Sequence, residues 1–506
     1  MKYKLLGLGA AVALIICAIA AQNYEPPKNR YHQHLEALPK DACTDHGEEL
    51  FCTHLPLMNI TTDVSIPEPY LYDENGDVVY TDNGHAARND AMVSARVQYF
   101  DSETKNNHLT DSPVVSEQAL IRIRGNTSRE YDKPGYLLKF KAEDLVTNRD
   151  VSFSGMTPDN EWALHGPFLD KSLIRNYLCY NLAGEIMDYA PNVRFCELFL
   201  NGEYMGLYLI IEKVGFNKDG RIDITRSDPN LATTSYILQA DRGATNSLYA
   251  LNTFANYSYL TAPVGGRSGQ LEIVYPGKTL TEEQYNFIAS DFSEFEKALF
   301  SYDYADAKKG YRNYIDVDSF VDYFLINEFT LNYDSMRFST YLYKDIGEPL
   351  KLCVWDFNSA FDYYGVSVVS PETFGLHNRL WYQYLFKDEQ FVDQVVDRYY
   401  ELRDEYFNEE YLFEYIDETV AYLGPAIDRN FEKWGYSFQS TYNGVSYDYL
   451  SPVERNVRSH EEAIAQIKDT ISSRIVHMDS NLDRLYSLCH ESVNKAYNHD
   501  KKGSNR

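Results

Sequence analysis

Two hydrophobic periods alternate along the chain. Up to about residue 280, apolar residues recur at every second position in short runs: 57–60, 93–100, 119–124, a return over 133–140, then 195–213, 235–241 and 271–276. A period of two predicts half-buried strands. Within 195–213, Asn201-Gly202 breaks the alternation at mid-run, the dipeptide of a type I′ hairpin turn. A helical period replaces it over 170–187, where Ile174, Tyr177, Leu178, Leu182 and Ile186 form one face behind the caps Asp170 or Ser172. Helices are also predicted over 281–302 behind a Thr281–Gln284 capping box, after the cap Asp318, over 372–423 and over 461–488. The pattern is that of an α+β protein, with most strands early and most helices late.

Residues 314–364 organise the rest. Phe320, Tyr323, Phe324 and Ile326 continue the helix behind Asp318. Phe338, Thr340 and Leu342 then alternate, Gly347-Glu348-Pro349 turns, and Leu350, Leu352 and Val354 alternate back. Asp334 precedes this hairpin and Asp356 follows it. An antiparallel hairpin ends where it began, so two carboxylates distant in sequence become neighbours, as a metal-and-base site requires. Either Asp alone reads more simply as a turn residue. Trp355-Asp356-Phe357-Asn358 is less easily read that way, because a carboxylate in an aromatic strand end needs a partner. Arg122, Arg124, Lys133 and Lys139 make the 120–140 hairpin basic around Gly125, whose backbone can approach a phosphate. Solvated sheet residues remain the plainer reading of each. A buried pair at Glu212 and Lys213 closes the 195–213 hairpin.

Composition narrows the classes. The chain has 506 residues, 44% of them hydrophobic, which excludes wholesale disorder. A net charge of −28 argues against general nucleic-acid binding and favours a basic partner or a bound cation. Residues 1–21 read as a secretory signal, with Lys2 and Lys4 before an apolar run and Ala18-Ile19-Ala20 as the cleavage site. An uncleaved anchor is the second reading. Residues 22–54 form an exposed leader and 491–506 a polar tail. Of the cysteines beyond the signal, Cys43 and Cys52 bracket a short polar loop and are the best disulfide pair; Cys179, Cys196, Cys353 and Cys489 sit in apolar segments as thiols. His32 and His34 lack further metal ligands nearby. Asp73 to Asp77 lacks the downstream Glu of a calcium loop and reads as a turn. There is no G-x-S-x-G, and His460-Glu461 lacks the second His of a zinc protease helix.

Taken in order, six motifs carry a family likeness: Arg124-Gly125-Asn126-Thr127-Ser128; Asp170 with Arg175-Asn176; the 200–208 hairpin around Asn201-Gly202; Glu212-Lys213; Asn332-Tyr333-Asp334; and Trp355-Asp356-Phe357-Asn358. Over roughly residues 55–488 the chain resembles the CotH family, the spore coat protein H-like atypical protein kinases. The resemblance implies a divergent two-lobed protein-kinase-like fold, with a β-rich N-terminal lobe over 55–280 and a mostly helical lobe over 281–490. Mg²⁺-ATP (or Mn²⁺-ATP) would lie between them, its γ-phosphate passing to Ser or Thr of secreted, periplasmic or surface proteins that are basic and Ser-rich. Neither nucleic acid nor, once the signal is cleaved, a membrane span is implied. Asp334 takes the catalytic part and Asp356 the metal ligand, with Asn358 as a second ligand. Arg124, Lys133 and Lys139 would face phosphate, with Glu212 and Lys213 at the nucleotide hinge; which Lys is the anchor stays open. The chain departs from the pattern at Asn358, where the family often has Asp, and at Ser339, where ordinary kinases carry Asn. The alternatives are a non-catalytic adhesion protein on the same fold and adenylyl transfer.

Overall fold

Strand β1 (Leu57–Thr62) opens a sheet that runs through β2 (Val93–Phe100), β3 (Val115–Arg124), β4 (Gly135–Lys141) and β5 (Glu161–His165). After α1 (Arg175–Ile186), the hairpin β6 (Val193–Leu200) and β7 (Glu203–Glu212) completes it, with Asn201 and Gly202 both at positive φ in the turn. The strand order is β1-β2-β3-β4-β5-β7-β6, and β1 then pairs in parallel with β6, Leu57 opposite Glu197 and Ile60 opposite Leu200. The sheet is therefore a closed barrel. Alternate residues fill it, among them Ile60, Val97, Ile121, Leu138, Trp162 and Ile210, each buried. The computed structural model describes residues 30–40, 51–80, 86–125, 127–217, 221–241, 270–336, 338–361 and 370–490. The chain divides into Met1–His32 and Gln33–Arg506, and all that follows concerns the second unit. The segment expected to direct export, Cys43 and the polar tail lie outside the described residues, whereas Cys52, its expected disulfide partner, is described and is a free thiol.

The closed barrel overturns the two-lobed, kinase-like fold expected from the sequence. Strands β8 (Tyr236–Asp241) and β9 (Gln270–Tyr275) do not extend the barrel. They pair with β10 (Thr340–Lys344) and β11 (Lys351–Cys353) in a separate sheet of order β11-β10-β8-β9. Strands from both sides of residue 280 thus share one sheet. One hydrophobic core joins Phe195, Leu238, Phe292, Phe324, Leu342 and Ile471, so no lobe boundary falls at that position. Alternation reveals that a segment is a strand but not which strand it will pair with. The α+β class itself stands.

Helix α2 (Glu282–Phe300) follows the expected capping box, in which the Thr281 hydroxyl accepts from the Gln284 N–H and the Gln284 amide accepts from the Thr281 N–H. Helix α3 (Val317–Phe329) is capped by Asp316, which accepts from the Ser319 N–H, two residues before the expected cap. Beyond β11 lie α4 (Glu389–Glu405), α5 (Glu409–Leu423), α6 (Pro425–Trp434) and α7 (His460–Asn481). Among the described residues no helix is long and apolar enough to cross a membrane. Helix α1 departs most from its pattern. Every residue but Glu185 is buried, including Arg175, Asn176 and Asn181. A helix enclosed on all sides carries its polar residues inward, where each must be hydrogen-bonded.

Candidate functional site

The outer face of the barrel presents cross-strand rows of side chains. Arg122 on β3 lies opposite Leu137 on β4, Leu137 opposite Ala163 on β5, and Ala163 opposite Ile211 on β7. Two residues along the same face, Lys139 lies opposite Glu161 and Lys213 reaches the same carboxylate, at 2.7 and 2.6 Å. Against the burial that would raise it, Lys213 and Lys139 pull the Glu161 carboxyl down to about 2. Two residues the other way, Arg124 pairs with Gly135 beside His165. A cavity of about 340 Å³ opens over these rows, a volume within the range of small-molecule sites. Its opposite wall is built from the segment before α1, the loop after α3, the exit of β11, and Gln239 and Asp241 at the end of β8.

The hairpin does what its sequence predicts. β10 and β11 pair with Leu342 opposite Leu352, and Asp334 and Asp356 both line the cavity. The Asp356 carboxyl is pushed up to about 6, by burial first and then by the Asp334 charge, with Arg124 opposing and Asp241 adding to the rise. Its backbone is left-handed at φ 62°, as are those of Leu331, Met336 and Ser339 in the facing loop. Such conformations persist only where the surroundings over-determine them, and they gather at functional sites.

Those surroundings are specific. The loop bearing Asp334 is gripped by Arg379, whose guanidinium lies 3.9 Å over the Tyr333 ring and donates to the carbonyls of Tyr333 and Ser335. Asn332 is buried and donates its amide to the Asn327 side chain at the end of α3. The loop bearing Asp356 is held by α1. The Tyr180 hydroxyl accepts from the Asp356 N–H at 2.9 Å, and Arg175 donates to the Ala360 carbonyl at 3.0 Å. Arg175 is itself paired with buried Asp170 at 2.5 Å, and Asp170 also accepts from the Arg175 N–H at the helix start. Asp170 thereby serves the helix terminus expected of it through a charged bridge, since the N-cap residue is Ile174.

Of the residues singled out from sequence, Asp334, Asp356, Asn358, Arg124 and Lys213 line one cavity. The Arg124 guanidinium lies 5.4 Å from the centre of the Trp355 ring. Lys139 stands one step behind, on Glu161. Lys133 lies elsewhere: its ammonium is buried, donating to the Leu207 carbonyl at 2.6 Å and the Asn430 side chain at 2.7 Å, and burial pushes its pKa well down. Glu212 is also buried and apart, accepting from the Asn192 backbone and side-chain N–H groups. Sequence reasoning missed Asp241 and Gln239, which lie in the predicted strand 235–241, and Arg88 and His165. For Asp241 and Gln239 the missing knowledge was that β8 pairs with β10, a contact with no local signature.

The lining is bipolar. Arg88, Arg122, Arg124 and Lys213 supply positive charge, while Asp241, Asp334 and Asp356 supply negative charge. Such a cavity suits a ligand that joins a polyanion to a cation. Asp356 and Asn358 offer hard oxygens, the ligands preferred by Mg²⁺ and Mn²⁺. A dication would also relieve the crowding of charge that raises the Asp356 carboxyl.

Over residues 121–478 the chain matches the family model described as CotH kinase protein. It is 26% identical over 274 residues to the inner spore coat protein H of Bacillus subtilis (strain 168). That alignment covers 51% of this chain and 65% of the relative.

Proposed function

Because this chain belongs to the CotH family, we propose that it is a Mg²⁺- or Mn²⁺-dependent kinase that moves the γ-phosphate of ATP to a Ser or Thr hydroxyl of a secreted or surface protein. The observation that carries this reading is the bipolar cavity, in which Arg124 faces the Asp334–Asp356 pair. Asp356, with Asn358, would hold the cation, which when bound would neutralise phosphate charge, and Asp334 beside them is left for the proton.

The remaining work falls to the chain itself. Asp334 accepts the proton of the acceptor hydroxyl as its oxygen bonds to phosphorus and the bond to the bridging oxygen of ADP breaks. A positioned base of this kind contributes roughly 10²- to 10⁴-fold. Arg124, kept in place against Trp355, balances charge on the transferred group. The apolar row of Leu137, Ala163 and Ile211 gives a flat floor for a nucleobase, and Lys213 at its edge adds a cation. The net charge of −28 favours a basic, Ser-rich acceptor. The name of the spore coat relative supports a site of action at a surface.

The test is transfer of label by the full chain from ATP labelled at the γ or the α position, with Mg²⁺ and a basic Ser-rich peptide, and with Asp334→Ala as control. We expect γ-label on the peptide, reduced at least about a hundredfold in the variant. Transfer of α-label would replace this reading with nucleotidyl transfer. Absence of both transfer and ATP binding would favour a non-catalytic surface protein.

A further inference from the structure

We infer that Asn176, on the first turn of α1, is a positioning residue that sets the cation-binding segment 356–358. The inference rests on the kinase reading above. Asn176 is 3% exposed, and each end of its amide is committed. Its Oδ1 accepts from the Phe357 N–H at 3.0 Å. Its Nδ2 lies 2.6 Å from Asn358 Oδ1, to which it donates, and 3.2 Å from His165 Nε2.

Only one orientation of this amide is consistent with its neighbours. Rotated by half a turn, it would set an NH₂ group against the Phe357 N–H and a carbonyl oxygen against Asn358 Oδ1. In the orientation present, His165 Nε2 is the acceptor, so the imidazole proton sits on Nδ1. Burial and the nearby Arg124 cation keep that imidazole neutral. One buried side chain thus ties a neutral histidine, a backbone N–H and a side-chain oxygen into a closed set.

The consequence lies one bond further out. Asp356 and Asn358 flank the residue whose N–H Asn176 holds, and Asn358 Oδ1 is the atom Asn176 donates to. Tyr180, one turn along the same helix, holds the Asp356 N–H. Three consecutive residues, 356, 357 and 358, are therefore fixed by one face of an enclosed helix. Such outer contacts fix the rotamer and basicity of a ligand, and their loss typically weakens a metal 10- to 100-fold. After accepting from Asn176, the Asn358 carbonyl oxygen retains a lone pair for a cation. Its orientation is Asn176's contribution.

A double-mutant cycle tests this. Mn²⁺ binding to the full chain is titrated by electron paramagnetic resonance with a non-hydrolysable ATP analogue present, for wild type, Asn176→Ala, Asn358→Ala and the double variant, with a thermal melt of each. Asn176→Ser is carried in parallel should the alanine variant not fold. If Asn176 acts through Asn358, each single change weakens Mn²⁺ about tenfold and the double variant is no weaker than the worse single, within about twofold. Unchanged Mn²⁺ affinity in folded Asn176 variants would overturn the inference. So would additive losses of about a hundredfold in the double variant. Both outcomes leave the kinase reading standing. A wild-type protein that binds neither Mn²⁺ nor the nucleotide would instead bring down that reading and the inference together.

Discussion

Asp356 combines a left-handed backbone with a carboxyl pushed up to about 6. An unfolded Asp titrates near 3.9, so the folded chain holds this proton more tightly than the unfolded one. The contribution to stability is therefore full below about pH 4 and is lost as pH rises through about 6. Asp356→Asn, which keeps a residue tolerant of positive φ, should raise the melting temperature of the metal-free protein at pH 7.5. The gain, on the order of 1 kcal/mol once water in the cavity is allowed for, should vanish near pH 4. Melts of both proteins across that range check it, and a lower melting temperature for the variant at pH 7.5 would show the carboxylate to be a stabilising partner. Gly125 gives a second residue-level prediction. At φ +111°, with an added Cβ 2.1 Å from Ser128 Oγ, Gly125→Ala should destabilise by about 1–3 kcal/mol, read from denaturant melts of the two proteins. At this scale the sequence was informative where chemistry coincided with a local pattern. Asp334 and Asp356 were legible because they flank a hairpin. Lys133 and Lys213 were indistinguishable as cations on strand ends, and only packing sends one into the core and the other to the cavity.

Helices α3 and α7 meet at a buried ion pair that also fixes the segment between β11 and α4. Arg474 on α7 donates to the Glu328 carboxylate at 3.0 Å and to the carbonyls of Pro371 and Thr373, while Glu328 accepts from the N–H groups of Gly375 and Leu376. Both side chains are fully buried. Arg474→Met should cost about 3–5 kcal/mol, because it strands a carboxylate. Adding Glu328→Gln should restore part of that, as the amide oxygen can still accept from the backbone while the charge is gone. Denaturant melts of the three proteins measure it, and equal losses in the single and double variants would contradict this account. Elements with strong local signals were legible, notably the Asn201-Gly202 hairpin and the Thr281–Gln284 box. Strand β5 was not, because Trp162-Ala163-Leu164 is a short apolar run without alternation. Nor was the burial of α1, since its apolar period marks one face while Arg175, Asn176 and Asn181 are buried through partners far along the chain.

For the whole molecule, charge and topology give separate expectations. With a net charge of −28, self-repulsion opposes the compact state. Raising salt from about 0.01 M to about 0.5 M should therefore raise the melting temperature by a few degrees, as the screening length shrinks several-fold. A flat or falling response would mean that the ion pairs lost to screening outweigh the repulsion. The barrel closure was illegible for a reason of scale, since β1 and β6 pair across well over a hundred residues with nothing local to announce it. The second sheet has the same character, and this bears on how the chain is made. Strand β8 ends at Asp241 and its neighbour β10 begins at Thr340, about a hundred residues later. At roughly 5–20 residues per second, the ribosome delivers β10 some 5–20 seconds after β8. Through that interval the edge of β8 that will meet β10 has no partner, and an open edge of Tyr, Ile, Leu and Ala is a template for foreign strands. Nascent chains stalled before β10 should bind holdase chaperones or aggregate, whereas chains released past Cys353, with both hairpin strands delivered, should resist protease over β8.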